Sequence, residues 1–357
     1  MAILDDVETI RSVDPGNMYN RIFDFPEQMA DALRIAESWK INPAEFSGIK
    51  NIIVVGMGGS AIGGDLVRSY LSSRLLIPFQ VCRNYSLPEY VDDESLVIVS
   101  SYSGNTEETL SAVEDALQRK ALLVACTTGG LLEDVAKLNE IPTVILPPGL
   151  QPRAALGYSF VPILALMEKI GLVKGLTKEI AATIKDLEKW REGYIEDLAT
   201  EKNLAKRLAA RIHGRMPIIY SGPVLSDVVA VRWKGQVSEN SKNLAFANQY
   251  PEFNHNELVG WCEIARLHKD HLIVLNLRSV DDNPKITRRM DIVKGIIEKQ
   301  GVEVVDVIAF GSSPLSRMFS LIQLGDFASY YLAILNGVDP SPVAAIETLK
   351  KALSETN

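Results

Sequence analysis

Three hydroxyl side chains lie within six positions of the sequence, between an apolar run and a predicted helix. They are Ser101, Ser103 and Thr106, in the stretch SSYSGNTEET at residues 100–109. The first-turn N–H groups of a helix are unpaired and the helix dipole is positive at that end, so neighbouring hydroxyls complete a site for an anion. An ordinary helix start needs one hydroxyl and a following glutamate, which together form a capping box. Because three hydroxyls exceed that need, we interpret this loop as a phosphate-binding site.

A second polar loop, GMGGSA at residues 56–61, follows the apolar run NIIVV. Gly58, Gly59 and Ser60 nearly match the fingerprint of dinucleotide-binding folds, which also requires an acid about 20 residues later, at the end of the next strand. In that place the sequence reads VCRNY, with Arg83 where the acid would stand. Arginine suits the 2′-phosphate of NADP, so an NADP-dependent reductase is one alternative. The other is that the two loops face one crevice, at the carboxyl ends of two parallel strands, that holds a sugar phosphate.

Alternating strand and helix patterns must position these loops. β-branched runs predict strands at 51–56, 78–82, 95–100, 121–126 and 142–147. Helical patterns separate several of them, at 60–71, 106–120 and 131–138. This alternation predicts an α/β fold with a mainly parallel sheet flanked by helices.

The same alternation returns in the second half of the chain. Helices are predicted at 154–172, 176–212, 223–238, 284–299, 315–336 and 342–354, and strands at 216–222, 271–277 and 302–309. Residues 1–50 are predicted to be helical. We therefore predict two domains, residues 1–172 with the N-terminal helical segment and residues 173–357 with the C-terminal helices.

Length and charge narrow the class of protein. With 357 residues the chain is long enough for two domains, and its net charge of −8 argues against a nucleic-acid partner. Three widely spaced cysteines indicate a reducing compartment rather than a disulfide framework. The acidic N-terminus is unlike a signal peptide, and no apolar run approaches the ~18 residues that span a bilayer. We expect a cytoplasmic protein with no membrane partner.

Several longer stretches resemble one family. They are SVDPGNMYNRIFDFPEQ, GMGGSAIGGD, SSYSGNTEET, PRAALGYSF, SENSKN, EFNHNELVGW and IETLKKAL, which together run from about residue 13 to residue 353. The serine loop alone resembles sugar isomerase (SIS) domains, and the joint set resembles the bifunctional phosphoglucose/phosphomannose isomerases, proteins of two SIS domains. The resemblance implies interconversion of glucose or mannose 6-phosphate with fructose 6-phosphate, without a metal or a cofactor.

The resemblance also implies a role for particular residues. It assigns the phosphate to Ser101, Ser103 and Thr106, and the sugar to Gly58, Gly59 and Ser60. It assigns the base to Glu239, ring opening to His255, and the neighbourhood of the enediolate to Arg153 and a C-terminal lysine. For that lysine we take Lys350 rather than Lys351, because IxxLK resembles the family spacing. Family members are commonly homodimers in which the partner subunit supplies the histidine.

The assigned residue types fit the chemistry, although each also has an ordinary structural explanation. One carboxylate can move a proton between C1 and C2, and an imidazole can shuttle a proton between O5 and O1. Glu239 is otherwise a solvated acid near a helix end, and His255 a loop histidine bonded to a neighbour. Arg153 lies at the start of a predicted helix, where the helix dipole disfavours a cation. This unfavourable position slightly supports a functional role for the arginine. Lys350 is otherwise a solvated lysine on an amphipathic helix.

Two further features of the sequence leave other interpretations open. His268 and His271 form an H-x-x-H pair without a third histidine or cysteine, and we expect both at the surface. SIS folds also occur in regulators, so a non-catalytic sugar-phosphate sensor is the alternative to an isomerase.

Overall fold

The computed structural model of the chain describes residues 2–355 and contains two parallel sheets. The first sheet consists of β1 (Asn51–Val55), β2 (Phe79–Cys82), β3 (Ser95–Ser101), β4 (Leu122–Thr127) and β5 (Thr143–Ile145). Its strand order is β2-β1-β3-β4-β5, and every pairing is parallel. All seven residues of β3 are buried, as expected for a central strand covered on both faces. The five predicted strands of the first half are confirmed.

The second sheet repeats this arrangement with one strand fewer. It consists of β6 (Met216–Ser221), β7 (Phe246–Gln249), β8 (Leu272–Arg278) and β9 (Glu303–Ile308), in the parallel order β7-β6-β8-β9. Strand β7 was not predicted, because its sequence FANQ is short and polar and has two exposed residues. An edge strand is paired with a neighbouring strand along one edge only, and its other edge can face solvent. It therefore needs fewer apolar residues than a central strand. The predicted α/β class, with two mainly parallel sheets flanked by helices, is confirmed.

Fourteen helices are present in residues 2–355. They are α1 (Val7–Val13), α2 (Met18–Phe23), α3 (Phe25–Ser38), α4 (Gly58–Leu71), α5 (Glu107–Gln118), α6 (Gly130–Leu138), α7 (Leu156–Lys169), α8 (Leu176–Arg191), α9 (Leu204–Ile212), α10 (Ser226–Ser241), α11 (Trp261–His268), α12 (Pro284–Lys299), α13 (Pro314–Leu335) and α14 (Ala344–Ser354). Short 3-10 turns lie at Ala2–Asp5, Pro43–Phe46, Pro152–Ala154, Glu252–His255, Glu257–Gly260 and Lys269–His271.

The single helix predicted over 176–212 is wrong, because the chain leaves the helix at Arg191 and begins α9 at Leu204. Asn203 caps α9 by accepting a hydrogen bond from the amide of Lys206 at 3.1 Å. The Lys206 ammonium is fully buried and donates to the carbonyl oxygens of Leu4, Glu196 and Leu198. The carbonyls of Glu196 and Leu198 belong to the non-helical segment between α8 and α9, so the buried lysine stabilises the interruption that the apolar periodicity conceals.

The contacts of the folded chain define two compact units. The first-sheet unit comprises Asp24–Glu188 and Gly311–Phe319. The second-sheet unit comprises the chain up to Phe23, Lys189–Phe310 and the chain from Ser320 onward. Relative to the predicted domains 1–172 and 173–357, this division assigns the chain up to Phe23 to the second-sheet unit and residues 173–188 and 311–319 to the first-sheet unit. The two predicted domains stay a prediction.

Helix α13 has the length and hydropathy of a membrane span, the one such helix in the described part of the chain. Within its most apolar window, 94% of the residues are buried in the folded protein. A core helix must be apolar on all sides, which accounts for this composition.

A glycine on α13 is required by close helix packing, which can be tested by substitution. An added Cβ at Gly325 would lie 2.2 Å from Nε1 of Trp233 on α10, and that indole already donates to the Leu321 carbonyl at 2.9 Å. We expect Gly325→Ala to lower the free energy of unfolding by about 1–3 kcal/mol, because the two helices must separate. The measurement is the midpoint of urea unfolding.

Gly235, within α10, provides the matched control. Nothing lies within 4 Å of an added Cβ there. Gly235→Ala is expected to be neutral or to stabilise by up to about 1 kcal/mol through helix propensity. Equal midpoints for the two variants would show that the packing at Gly325 is not tight.

Candidate active site

The two predicted polar loops follow neighbouring strands of the first sheet. The strand order reverses direction between β1 and β3, so this is the topological switch point at which open α/β sheets form a crevice. The glycine loop follows β1 and the serine loop follows β3. The expected juxtaposition of the two loops is therefore confirmed within the first-sheet unit.

The serine loop presents hydroxyls at the start of α5. Ser101 ends β3 and is buried, and its hydroxyl donates to Thr106 Oγ1 at 3.1 Å. Thr106 is the N-cap residue of α5. Its hydroxyl accepts from Ser101 instead of forming the capping box, so the first turn of α5 keeps its amides for another acceptor. Ser103 is exposed, and its oxygen accepts from the Asn105 amide at 3.4 Å.

Gly104 fixes the shape of this loop. Its φ is +70°, and an added Cβ would lie 1.7 Å from the carbonyl oxygen of Gly129. The Gly104 carbonyl accepts from the Leu132 amide at 2.9 Å, and Asn105 Oδ1 accepts from the Leu131 amide at 3.0 Å. The loop after β4 thus holds the serine loop from one side, at a distance that only glycine permits.

The glycine loop holds the serine loop from the other side. The amide of Tyr102 donates to Ser60 Oγ at 3.1 Å, which joins the first turn of α4 to the chain just after β3. An added Cβ at Gly56 would lie 2.7 Å from the Ser100 carbonyl oxygen. Burial raises the pKa of the Tyr102 phenol, whose hydroxyl donates to the Pro147 carbonyl at 2.7 Å. These close contacts are a sufficient reason for glycine in this loop, and they involve no bound dinucleotide.

Arg83 is engaged within the protein. Its guanidinium forms an ion pair with Asp65 of α4, and Asp65 also lies 3.7 Å from Arg68. The NADP alternative requires this arginine to bind the 2′-phosphate. In this structure the guanidinium is already paired with a carboxylate of the protein.

Arg153 lies in the 3-10 turn Pro152–Ala154 and is buried, with 4% of its surface exposed. An added Cβ at Gly59 would lie 2.4 Å from the Pro152 carbonyl oxygen and 3.1 Å from the Arg153 amide. Gly59 therefore allows the start of α4 to lie against the turn that carries Arg153. The glycine loop, the serine loop and the Arg153 turn are brought together in one unit.

Glu239 lies in the last turn of α10, in the second-sheet unit. It is half-buried and lines a cavity of about 480 Å³ together with Lys242, Leu244 and the segment 342–346, which leads into α14. Ile346 and Lys350 are one helical turn apart on α14, so they share a face. Lys350 and Lys351 are both exposed, and Lys351 lies 4.0 Å from Glu355. Ala344 also lines the cavity and lies seven residues before Lys351, so helical spacing does not separate the two lysines and the choice of Lys350 stays a prediction.

A buried polar ladder fixes α10, the helix that carries Glu239. Arg232 donates to one carboxylate oxygen of Asp326 on α13 at 2.6 Å, and Gln236 donates to the other at 2.8 Å. One turn further, Asn240 donates to Ser329 Oγ at 2.9 Å. The buried face of the helix that carries Glu239 is therefore hydrogen-bonded to α13 as far as Asn240, the next residue in the chain.

His255 is exposed at the end of the turn Glu252–His255. The chain on either side of it is anchored on Tyr220: the Phe253 ring stacks on the Tyr220 ring with centroids 3.8 Å apart, and Glu257 accepts a hydrogen bond from the Tyr220 hydroxyl. Burial and the Glu257 carboxylate raise the pKa of Tyr220, which keeps the phenol protonated. Asn248 donates to the other Glu257 oxygen at 2.7 Å. The imidazole thus projects from a loop that is fixed at both ends.

The second sheet has its own switch point, between β6 and β8, with different chemistry. An added Cβ at Gly222, after β6, would lie 2.2 Å from Asp282 Oδ1 in the loop after β8. Asp282 Oδ2 accepts from the Ser279 amide at 2.8 Å, and burial raises the pKa of the Asp282 carboxyl. A carboxylate therefore occupies the position that corresponds to the hydroxyls of the first sheet.

Residues 2–355 contain no group of three or more His, Cys, Asp or Glu side chains placed to hold a metal ion. His268 and His271 are both exposed, as expected from the sequence.

Comparison with known proteins identifies the family. The SIS domain family matches residues 45–142, and the family described as bacterial phospho-glucose isomerase C-terminal SIS domain matches residues 201–353. A bifunctional phosphoglucose/phosphomannose isomerase of Caldicellulosiruptor bescii is 44% identical over 338 residues, which cover 95% of this chain and 99% of that one. This chain belongs to the bifunctional phosphoglucose/phosphomannose isomerase family.

Other relatives agree with this membership. The bifunctional phosphoglucose/phosphomannose isomerase of Aquifex aeolicus is 36% identical, over 89% of this chain and 94% of that one. A crystal structure of a hypothetical protein from Thermus thermophilus superposes with a TM-score of 0.72 at 16% identity, covering 98% of this chain and 93% of that one, and shows the shared fold.

The residues assigned by the resemblance fall into two groups in this bifunctional isomerase family member. Gly58, Gly59, Ser60, Ser101, Ser103, Thr106 and Arg153 belong to the first-sheet unit, and Glu239, His255 and Lys350 to the second-sheet unit. The sequence reasoning missed Tyr102 and Gln28, which support the loops from behind. A buried tyrosine between two serines was a possible signal for the first, and the second ends the stretch SVDPGNMYNRIFDFPEQ, which resembles the family.

The serine loop can be tested by removing its paired hydroxyls. We expect Ser101→Ala combined with Thr106→Val to weaken binding of fructose 6-phosphate about ten- to a hundredfold, because hydrogen bonds to a charged group contribute about 1.5–3 kcal/mol. Isothermal titration calorimetry measures the dissociation constant.

Ser111→Ala, one turn further along α5, is the matched control and should leave the dissociation constant unchanged. Equal dissociation constants for the double variant and the control would show that this loop does not bind the phosphate.

Proposed function

We propose that the protein isomerises glucose 6-phosphate and mannose 6-phosphate to fructose 6-phosphate through an enediol intermediate, without a metal ion. The 44% identity to a named bifunctional isomerase over 95% of the chain carries this proposal. The hydroxyls of Ser101, Ser103 and Thr106 and the first-turn amides of α5 bind the phosphate. Gly58, Gly59 and Ser60 line the sugar.

Glu239 is the base in this mechanism. It takes a proton from C2 of the aldose and returns it to C1, or the reverse, so a single carboxylate serves both directions. Because the side chain is half-buried, the surroundings of the carboxylate are less polar than water. The carboxylate is nevertheless accessible to a ligand. The hydrogen-bonded face of α10 supports this role, since a base must keep its place while the proton moves.

His255 opens the sugar ring by moving a proton between O5 and O1. An imidazole suits this step, because it accepts and donates near neutral pH. Its exposure on an anchored loop supports a homodimer in which each His255 serves the partner subunit.

Arg153 and Lys350 supply positive charge. A preorganised cation in a site that excludes water stabilises the developing enediolate, and electrostatic terms of this kind are large in catalysis. The burial of Arg153 supports this assignment more strongly than the exposure of Lys350 does. Because sugar phosphates are charged and stay within the cell, we place the reaction in the cytoplasm.

Removal of the base tests the mechanism. Glu239→Gln keeps the shape of the side chain and should lower kcat by about 10²–10⁴ while substrate affinity changes little, as expected when a general base is lost. The measurement is formation of fructose 6-phosphate from each aldose phosphate in a coupled assay, together with calorimetric affinity for the product.

Glu298→Gln, at an exposed acid in the last turn of α12, is the matched control for a solvated helix-end carboxylate. It should retain full turnover. A Glu239→Gln enzyme as active as this control would reject the assignment. Wild-type protein that binds fructose 6-phosphate but turns over neither aldose would favour the sensor alternative.

Metal independence has its own test. We expect full isomerase activity after exhaustive dialysis against EDTA, because acid–base transfer by Glu239 and charge stabilisation by Arg153 need no Lewis acid. Activity that disappears with EDTA and returns with zinc would point instead to a metal mechanism.

A further inference from the structure

The backbone of the Arg153 turn determines where its guanidinium lies. Arg153 is followed within three residues by α7, which begins at Leu156. The turn is closed by backbone hydrogen bonds from the Ala154 amide to the Gln151 carbonyl at 2.8 Å and from the Ala155 amide to the Pro152 carbonyl at 3.2 Å. Contacts from other elements set its place in the unit, and Gly59 of α4 supplies the contact on one side.

Gln28 of α3 supplies the contact on the other side. Its side-chain amide Nε2 donates to the Ala154 carbonyl at 2.7 Å, and its Oε1 accepts from the Gly157 amide at 2.7 Å. The glutamine is buried, with 8% of its surface exposed. Both hydrogen bonds are short and shielded from water, and together they span the chain from the residue after Arg153 to the first turn of α7.

The geometry requires a group that donates and accepts at once. A flipped amide would place NH₂ against the Gly157 N–H and oxygen against the Ala154 carbonyl, so the network fixes one orientation. Gly157 is matched to this role, since an added Cβ would lie 2.8 Å from Gln28 Oε1 and 3.2 Å from the Met29 amide. The first-turn amide of α7 is thus capped by a side chain from another helix.

We propose that Gln28 is a positioning residue for Arg153: by bridging Ala154 and Gly157 it holds the guanidinium where negative charge develops on the enediolate. This inference rests on the proposed isomerase function. A cation that stabilises the transition state must be held in place before the charge appears. Displacement of the turn therefore lowers transition-state stabilisation more than it lowers binding of the substrate.

Two substitutions separate geometry from charge. Gln28→Met is neutral and of similar size but loses both hydrogen bonds, and Gln28→Glu keeps the acceptor but places an oxygen against the Ala154 carbonyl. We expect kcat to fall about ten- to a hundredfold in both, since misplacement by about 1 Å can cost that much. KM should change by less than about threefold, because the phosphate contacts are untouched.

Tyr158→Phe is the matched control. The Tyr158 hydroxyl donates to Asp31 Oδ2 at 3.0 Å, so it joins α7 to α3 between two side chains and makes no hydrogen bond to the backbone of the Arg153 turn. Its removal should leave kcat within about twofold, as expected when a contact outside the site is lost. A drop in kcat equal to that of Gln28→Met would mean that Gln28 supports helix packing in general, and would overturn the proposal.

A double-mutant cycle with Arg153→Ala gives the decisive measurement. If Gln28 acts through Arg153, Gln28→Met should cost less than about twofold in kcat once the guanidinium is gone, since residues that act as a unit are not additive. If the full factor persists in the Arg153→Ala background, the proposal is overturned. The cycle is repeated with Gln28→Glu, which serves alone if the methionine variant does not fold.

The outcomes also separate this inference from the proposed function. Wild-type protein without isomerase activity would reject both. An active wild type with an additive cycle would reject the role of Gln28 and leave the isomerase intact.

Discussion

The hydrogen bond from the Tyr102 amide to Ser60 Oγ, 3.1 Å long, connects the two loops on which the candidate site is built. It requires the main chains after β1 and β3 to approach closely, and the glycines permit that approach. Gly56 lies against the Ser100 carbonyl, and Gly104 against the carbonyl of Gly129. Each of these contacts would be lost with any larger side chain, because the opposing atom belongs to the backbone and cannot move aside. The hydroxyls that we propose to bind the phosphate therefore depend on residues that carry no side chain.

Both units hold their polar groups by hydrogen bonds, and these are supplemented by close glycine contacts in the first-sheet unit and by stacked rings in the second. Glu239 is carried by a helix whose Arg232 and Gln236 share the two oxygens of Asp326. His255 is carried by a loop that is clamped through Phe253 to Tyr220. In the second-sheet unit Glu239 is half-buried and His255 is exposed, whereas the residues that anchor them are buried, the usual arrangement when rigid elements present a reactive side chain.

The sequence predicted what depends on local pattern. Buried parallel strands form continuous apolar runs, so β1 and β3 and the polar loops that follow them were evident. The interruption after Arg191 was missed, because Lys206 satisfies carbonyls that no periodicity reports. The edge strand β7 was missed because FANQ lacks an apolar signal. The contact between Gln28 and Ala154 joins residues 126 positions apart, and only the folded chain shows such a pairing.

The carboxylate of Asp282, which lies against Gly222 at the switch point of the second sheet, makes the two halves of the chain electrostatically unlike. Burial raises the pKa of this carboxyl, so the second sheet has a buried acid where the first sheet has hydroxyls. A phosphate at that crevice would lack the hydroxyl donors that follow β3. The anion site that we propose for the first sheet is therefore not expected to have a copy in the second.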